Sequence, residues 1–491
     1  MNPLTQCHKK IQSHCKRNLC GLWFPLLLLF SLLLIGQTTC SSSNSPLPPP
    51  SITSAAQPNQ STQTPVPHPE KTPLNWMGHW YGEDKRETLV RDVAQEFAFR
   101  NQDIDITLKF SAEIVGERSK VLTAAYIANM IQTGKIEWDI VWMDDQIYQM
   151  VGETLKDPNW GEKYLVNIEE VPGFAQSQKS FIIDDPTYRK QTGGILVGPY
   201  LEGYYYALYY NADLAEKIGV KIKAENMTFD DLLGYVQAVD TYNQANGTHI
   251  ATFYEAADWT SLEILFQNLF KSELGDFETA REEIVSPEKQ AALLKTLQAF
   301  EQLGQYHPLI ESHAENDWFM TRNLVLEDKA LFYINGTWMY SHWQGIDEDK
   351  TFKMIPVELP VFQEVDYYLG GYIPTWAIMK DAPHREAAIK LMMYWSTPEV
   401  AEKWVRYTKN PTGIKGNVAS AATGADVFDQ FQATMAEKYG GNVHYAANAG
   451  YIFGTMNSQL RPELEAGLRA LLTGQATAQE IYNQLISEAK E

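Results

Sequence analysis

Residues 104–110, IDITLKF, and residues 139–144, DIVWMD, decide how the folded part of this chain is built. In the first stretch Ile104, Ile106, Leu108 and Phe110 alternate with polar residues, the period-two pattern of a strand with one buried face. In the second, Ile140-Val141-Trp142-Met143 is a continuous apolar run ending at Asp144, as expected of a strand buried on both faces. A helix is expected between them, around Lys120 to Ile131, and upstream Leu89, Val93 and Phe97 recur every four residues as one face of another. Strand, helix and strand in this order make a βαβ unit, so its strands should be parallel.

The same alternation of helical and strand signals continues from Trp76 onward, the pattern of α/β layers with helices covering a sheet. Tyr204 to Tyr210 reads as a strand rich in aromatics, and Ala330 to Ile334 as a short apolar strand closed by Asn335-Gly336. Thr228 followed by Asp231 begins a helix with a capping-box signal. Ser286-Pro287 and Thr397-Pro398 each place a cap residue before proline at the first helical position. From roughly Gly424 to Glu491 the pattern is almost wholly helical, and there is no internal repeat or heptad run.

At 491 residues the chain is too long for one core and suits two packed domains with extensions. The N-terminus breaks the globular pattern. Lys9, Lys10, Lys16 and Arg17 precede the apolar run Leu22 to Ile35 and then small polar residues up to Cys40, which is signal-peptide architecture, with an apolar core short for a bilayer span. Cys7, Cys15 and Cys20 fall inside this signal, so Cys40 is the single cysteine of the expected mature chain and no disulfide framework is possible. A lone cysteine after the apolar region resembles the lipobox of bacterial lipoproteins, where it would be acylated, although Gln37, Thr38 and Thr39 depart from the usual Leu and small residues. Residues 41–73 hold nine prolines and no aromatic, and read as a disordered spacer that holds a globular body away from a membrane. Cleavage of the signal removes four Lys/Arg and no acid, taking the net charge from −21 to −25, a surface that repels nucleic acid.

Five segments in order carry a resemblance. They are Glu137-Trp138-Asp139-Ile140-Val141-Trp142-Met143-Asp144; Tyr209-Tyr210-Asn211-Ala212-Asp213-Leu214 with Gly219 and Thr228-Phe229-Asp230-Asp231-Leu232; and Glu327 through Trp338, with Ala330-Leu331-Phe332 and Asn335-Gly336-Thr337-Trp338. The fourth runs from Leu359-Pro360 through Gly370-Gly371-Tyr372 and Trp376-Ala377-Ile378 to Ser396-Thr397-Pro398-Glu399, and the fifth is Leu472-Thr473-Gly474-Gln475 before a last amphipathic helix. Over most of residues 76–491 the chain resembles the extracellular solute-binding proteins of the sugar-binding family that includes maltose-binding protein. The resemblance implies a type II periplasmic-binding-protein-like α/β fold of two discontinuous lobes joined by a hinge. The N-terminal lobe would hold 74–200 and 363–397, and the C-terminal lobe 205–360 and 400–491. It also implies a carbohydrate-like small-molecule ligand, the permease subunits of an ABC transporter as partners, a location on the periplasmic or extracellular face with a lipid anchor, and no cofactor.

Sugars present C–H faces that pack on aromatic rings and hydroxyls that need hydrogen-bond partners. Trp338, just past a strand and a turn, is placed by the family motif as a stacking aromatic. Asp144 and Asp145 follow a strand whose carboxyl end should open on the ligand, with helix N-capping as the competing role. Tyr204 alternates with Tyr206, so one face of that strand can look into the cleft. Trp259, Glu255, Tyr372 and Trp376 are further candidates by resemblance, with Glu202 and Arg406 as weaker polar ones. A hydrolase is the main competing class, but the adjacent pairs Asp144-Asp145, Asp184-Asp185 and Asp230-Asp231 diverge on a strand or helix, and no nucleophile-elbow, zinc-protease or P-loop motif is present. The same fold could also serve a sensor that binds ligand for a signalling partner, and a polyamine competes with a sugar as the ligand.

Overall fold

Strand β1, TPLNWMG, carries little alternation, yet it organises the first half of the molecule. The computed structural model describes residues 70–258, 261–275, 286–416, 426–440, 442–445 and 460–488, all within the unit His68–Glu491. Its strands are β1 (Thr72–Gly78), β2 (Ile104–Phe110), β3 (Ile140–Trp142), β4 (Glu202–Asn211), β5 (Ala251–Phe253), β6 (Ala330–Gly336), β7 (Met354–Val357), β8 (Tyr368–Ile373), β9 (Trp376–Ile378) and β10 (Val443–Tyr445). β1 pairs in parallel with β2 from Thr72 against Ile104 to Gly78 against Phe110, and with β3 through Trp76 and Ile140. β2 and β3 are therefore parallel, as the βαβ pattern predicts, but β1 lies between them. β9 closes this sheet antiparallel to β3, giving the order β2-β1-β3-β9.

The second sheet is built on β4. Its first residues, Glu202 to Tyr205, pair antiparallel with β8, and its last, Leu208 to Asn211, with β7. Tyr206 to Tyr210 pair with β6, so the order runs β10-β8-β4-β6-β5 with β7 beside the end of β4. The run of aromatic residues suits a strand buried on both faces. Alternation sends Tyr205, Ala207 and Tyr209 into one core, while Leu208 packs into another and Tyr206 and Tyr210 lie against its edge.

Three main apolar cores result. One covers the outer face of the first sheet with Met77, Val141, Met143, Ile127 and Trp160. A second continues from Trp76, Ile140 and Trp376 on that sheet's inner face to Tyr205, Tyr209 and Tyr333 on the second sheet. The third packs Leu208, Phe332 and Ile334 under the helices Phe229–Asn246, Leu262–Leu274, Pro287–Gly304 and Leu460–Leu472. The two sheets are the frames of two lobes, and between β8 and β9 the chain passes from one to the other over Pro374 and Thr375. The helix Pro398–Thr408 lies against the helix Asp84–Arg100, with Glu399 paired to Arg100 at 2.8 Å and Trp404 packed on Trp80 at 5.1 Å.

Local signals account for most helix starts. The Thr228 hydroxyl and Asp231 carboxylate cap reciprocally, and Ser286 accepts from the Lys289 amide at 3.2 Å. Thr397 precedes its proline as expected, but its hydroxyl donates to the Tyr394 carbonyl and caps nothing. The almost wholly helical C-terminal reading is corrected at one place: between the helices Val427–Tyr439 and Leu460–Leu472, β10 adds in parallel to the edge of β8. Three residues are too few to show a period, and only the partner strand defines them.

Candidate functional site

The carboxyl ends of β1, β2 and β3 open on one cavity of about 150 Å³, the place where open parallel sheets bind their ligands. His79 and Trp80 follow β1, Ser111 follows β2, and Trp142 ends β3. The opposite wall is Trp318 and Phe319, the first residues of the helix Trp318–Leu324 in the second lobe. The cavity thus lies between the lobes.

His79 stacks flat on Trp142, with ring centroids 3.9 Å apart and planes 14° from parallel. Burial, followed by the charges of Lys120, Arg86 and Arg118, holds its pKa well below the usual value, so the ring is neutral at pH 7. Stacking covers one face of each ring with the other. Lys120 stands beside this pair: its ammonium lies 5.9 Å from the Trp142 ring, pairs with Asp144 Oδ2 at 2.7 Å and donates to Gln146 Oε1 at 2.8 Å. Burial pulls the Lys120 pKa down, but the Asp144 charge and hydrogen bond outweigh it and the net shift is upward.

Asp144 is fully engaged. Its Oδ1 caps the helix Asp145–Leu155 by accepting from the Ile147 amide at 2.8 Å, and Oδ2 holds Lys120. It reaches the cavity through Lys120. Asp145, half-buried on the first turn, lies close enough to Tyr204 for its charge to raise the phenol pKa, after the larger effect of burial. Glu202, at the start of β4, receives the Arg86 guanidinium at 3.0 Å. Burial raises its pKa and Arg86 opposes that rise.

Tyr204, Tyr206 and Trp338, none of which lines that cavity, form a three-ring set. Trp338 meets Tyr204 edge-on at 5.1 Å and Tyr206 at 5.7 Å, and the two tyrosines lie 5.4 Å apart. The Trp338 ring lies so close over Gly336 that a Cβ there would stand 2.1 Å from it, which is the reason a glycine ends β6. Tyr206 and Trp338 keep part of their surface in solvent, whereas Tyr204 is 6% exposed.

The remaining candidates lie elsewhere. Tyr372 pairs with Gly203, so it points to the opposite face of the β4–β8 pair from Tyr204, where it packs on Phe181 at 5.0 Å and hydrogen-bonds Tyr205. Trp376 is fully buried within a cluster of indoles, 5.1 Å from Trp76, 5.6 Å from Trp80 and 4.8 Å from Trp395. Glu255 is buried, accepts from Ser261 Oγ at 2.6 Å and its amide at 3.2 Å, and lies 3.4 Å from Arg469; burial raises its pKa to about 8 against those contacts. Arg406 is exposed and pairs with Glu402 one helical turn away at 2.9 Å. Trp259 and Cys40 lie outside the described residues.

His79, Trp142, Arg118, Lys120, Trp318 and Phe319 were not visible as site residues in the sequence. The carboxyl-end rule that selects Asp144 reaches His79 and Ser111 once β1 and β2 are known as its parallel neighbours. Nothing local marks Trp318 and Phe319, which come from the other lobe. Among the described residues no group of His, Cys, Asp and Glu could hold a metal ion.

A search of curated proteins by sequence gives no match. Solved structures share the fold: the GacH receptor of Streptomyces glaucescens at 13% identity, with 86% of this chain and 98% of that chain covered and a TM-score of 0.61; maltose-bound MalE3 of T. maritima at 17%, with 85% and 99% covered and a TM-score of 0.59; and apo RafE from Streptococcus pneumoniae at 15%, with 87% and 100% covered and a TM-score of 0.59. The family model for the bacterial extracellular solute-binding protein matches residues 96–428, more than half of the chain. With the two-lobe α/β fold and an interlobe cavity at the strand ends, the chain belongs to the bacterial extracellular solute-binding proteins, a family that binds its ligand without transforming it.

Proposed function

We propose that this protein captures a sugar, an oligosaccharide or a glycosidic solute between its lobes and delivers it to the membrane permease of an ABC importer. The observation that carries this reading is the Tyr204–Tyr206–Trp338 set, where two partly exposed rings and a buried phenol stand together, with Asp145 near Tyr204. Partly exposed rings offer the flat apolar faces that sugar C–H groups pack on, and Asp145 and Lys120 supply polar partners nearby. Similar folds have been solved with raffinose, maltose and acarbose bound, which supports a carbohydrate here. β4 and β8, side by side where the chain passes between lobes, are the natural hinge, and closure around the ligand follows from its better contacts in the closed state.

Acylation of Cys40 would hold the protein at the membrane by the proline-rich tether, whose expected end at residue 73 is corrected by the pairing of Thr72 and Pro73 with Ile104 and Asp105 in β1. Mass spectrometry of the mature N-terminus tests this: a free cysteine, or cleavage elsewhere, rejects the anchor.

A thermal-shift screen of residues 41–491 against maltose, raffinose, trehalose, sucrose and glucosylglycerol tests the binding reading. A ligand at 100 times its dissociation constant stabilises the folded state by about 2.7 kcal/mol. A response to amines or peptides with none to any saccharide would sink the carbohydrate assignment.

A further inference from the structure

The interlobe cavity is lined by Arg118 and Lys120 against one acid, Glu83, in a chain whose net charge is −21. Arg118 lines it from the first lobe, just beyond β2. Arg322 stands in the second lobe on the helix Trp318–Leu324. Their guanidinium carbons lie 5.9 and 5.4 Å from the same Phe319 ring, so one guanidinium from each lobe stands at an aromatic of the cavity wall, Arg118 inside the lining and Arg322 outside it.

Neither forms a carboxylate salt bridge among the described residues, although the Glu83 charge acts on Arg322. Arg118 donates to the Tyr81 carbonyl oxygen, and Arg322 to Asn323 Oδ1 at 3.1 Å and His342 Nδ1 at 3.3 Å. The acids nearby are already engaged: Glu83, in the cavity wall, lies 3.4 Å from Arg86, Glu202 lies 3.0 Å from the same Arg86, and Asp144 holds Lys120. Arg86 itself is 4% exposed, sandwiched against Trp80 and Trp404, with Nε and one Nη lacking a hydrogen-bond partner among the described residues.

The titration behaviour agrees with the geometry. Burial and then Arg118 lower the Arg322 pKa against the opposing Glu83 charge, so the two guanidiniums repel each other across the lobe boundary. At His79, after burial, Lys120, Arg86 and Arg118 all act in the same direction, so the potential there is positive.

Resting on the carbohydrate reading above, we infer that the bound saccharide carries an anionic group, a carboxylate or a phosphate or sulfate ester, received between Arg118 and Arg322. A planar guanidinium matches such groups in shape and charge, and one from each lobe makes the anion a bridge that relieves their repulsion and draws the lobes together. The stacked His79–Trp142 pair, both in the cavity lining, then stands beside the sugar ring. The cavity of about 150 Å³ suits one charged monosaccharide unit, since pockets for larger ligands run from about 300 to 1,000 Å³.

Isothermal calorimetry on the mature protein tests this with matched sets: glucose, glucuronate and glucose 6-phosphate; digalactose and digalacturonate; and inorganic phosphate alone. The expected result is that an anionic member binds at least about tenfold tighter than its neutral parent, a preference that shrinks as salt rises. Which anionic member wins separates carboxylate from ester. Arg118→Gln and Arg322→Gln should each cut the ratio of anionic to neutral affinity at least about fivefold with the melting temperature of the free protein held; Arg118 is exposed, so its variant keeps the test open if Arg322→Gln folds poorly. A neutral sugar bound as tightly as its acid overturns this inference and leaves the carbohydrate reading standing. Binding of inorganic phosphate as tight as that of the sugar phosphate also overturns it. No binding by any saccharide removes the carbohydrate reading, and this inference with it.

Discussion

Trp376 and Trp338 have similar sequence surroundings, one opening a short apolar strand and the other two residues past one, but they end in different regions. Trp376 lies within the first sheet, where Trp76, Trp80 and Trp395 surround it and no surface remains. Trp338 leans over Gly336 against Tyr204 and Tyr206 and keeps a partly exposed face. The indoles of the first group hold a lobe together, and in the second group Trp338 and Tyr206 keep an exposed face. The difference teaches that an aromatic's role here is set by what the opposite element brings to it, since residue type and place relative to a strand are nearly shared.

The strongest way to break this comparison is Trp376→Ala, which should cost about 3–5 kcal/mol in chemical unfolding through the cavity it leaves. A loss below about 1 kcal/mol would remove Trp376 from the core. The boundary between the regions runs through His342, 8% exposed and edge-on to Trp318 at 5.2 Å. Burial, with Arg86, Arg322 and Arg118 against the opposing Glu83, pushes its pKa down from 6.5 to about 4. Between those values the unfolded chain binds the proton and the folded one does not, so stability is present above about pH 6.5 and falls as pH drops toward 4, by at most about 1.4 kcal/mol per pH unit. Unfolding curves across that window should show the slope, and His342→Gln should flatten it.

Trp338→Ala should weaken ligand binding at least tenfold, about 1.4 kcal/mol, in calorimetry. Its effect on unfolding should be smaller than that of Trp376→Ala, because its ring is only partly covered. The smallest contrast is between two phenols on opposite faces of one strand pair. Tyr372→Phe loses the bond with Tyr205 and should cost about 1 kcal/mol of stability with affinity unchanged, whereas Tyr204→Phe should lower affinity a few-fold. Equal effects of the pair on affinity would contradict the assignment of faces.

Much of the fold was legible. The helices Asp84–Arg100 and Lys120–Thr133, β2, β3, β4 and β6, and the caps at Thr228 and Ser286 all announce themselves through period or local hydrogen-bond chemistry. β1 and β10 did not, because the first lacks alternation and the second is too short to have any. Of the residues considered as ligand contacts, Trp338 and Tyr204 stand together, and Asp145 lies near them. Asp144 took the capping role that competes for any acid after a strand, and added a salt bridge. Glu255 spends its carboxylate on Ser261 and on Arg469, which lies more than two hundred residues away.

The sequence by itself determined most of the elements, β1 and β10 excepted, and the two-lobe family fold, because hydrophobic period, capping and turn chemistry act over a few residues and leave their mark in them. Only the tertiary structure decided which aromatics are core and which keep an exposed face, that β1 separates β2 from β3, and that Arg118 and Arg322 meet at one ring. Those facts depend on contacts between residues far apart in the chain, whose burial and electrostatic energy no local pattern records.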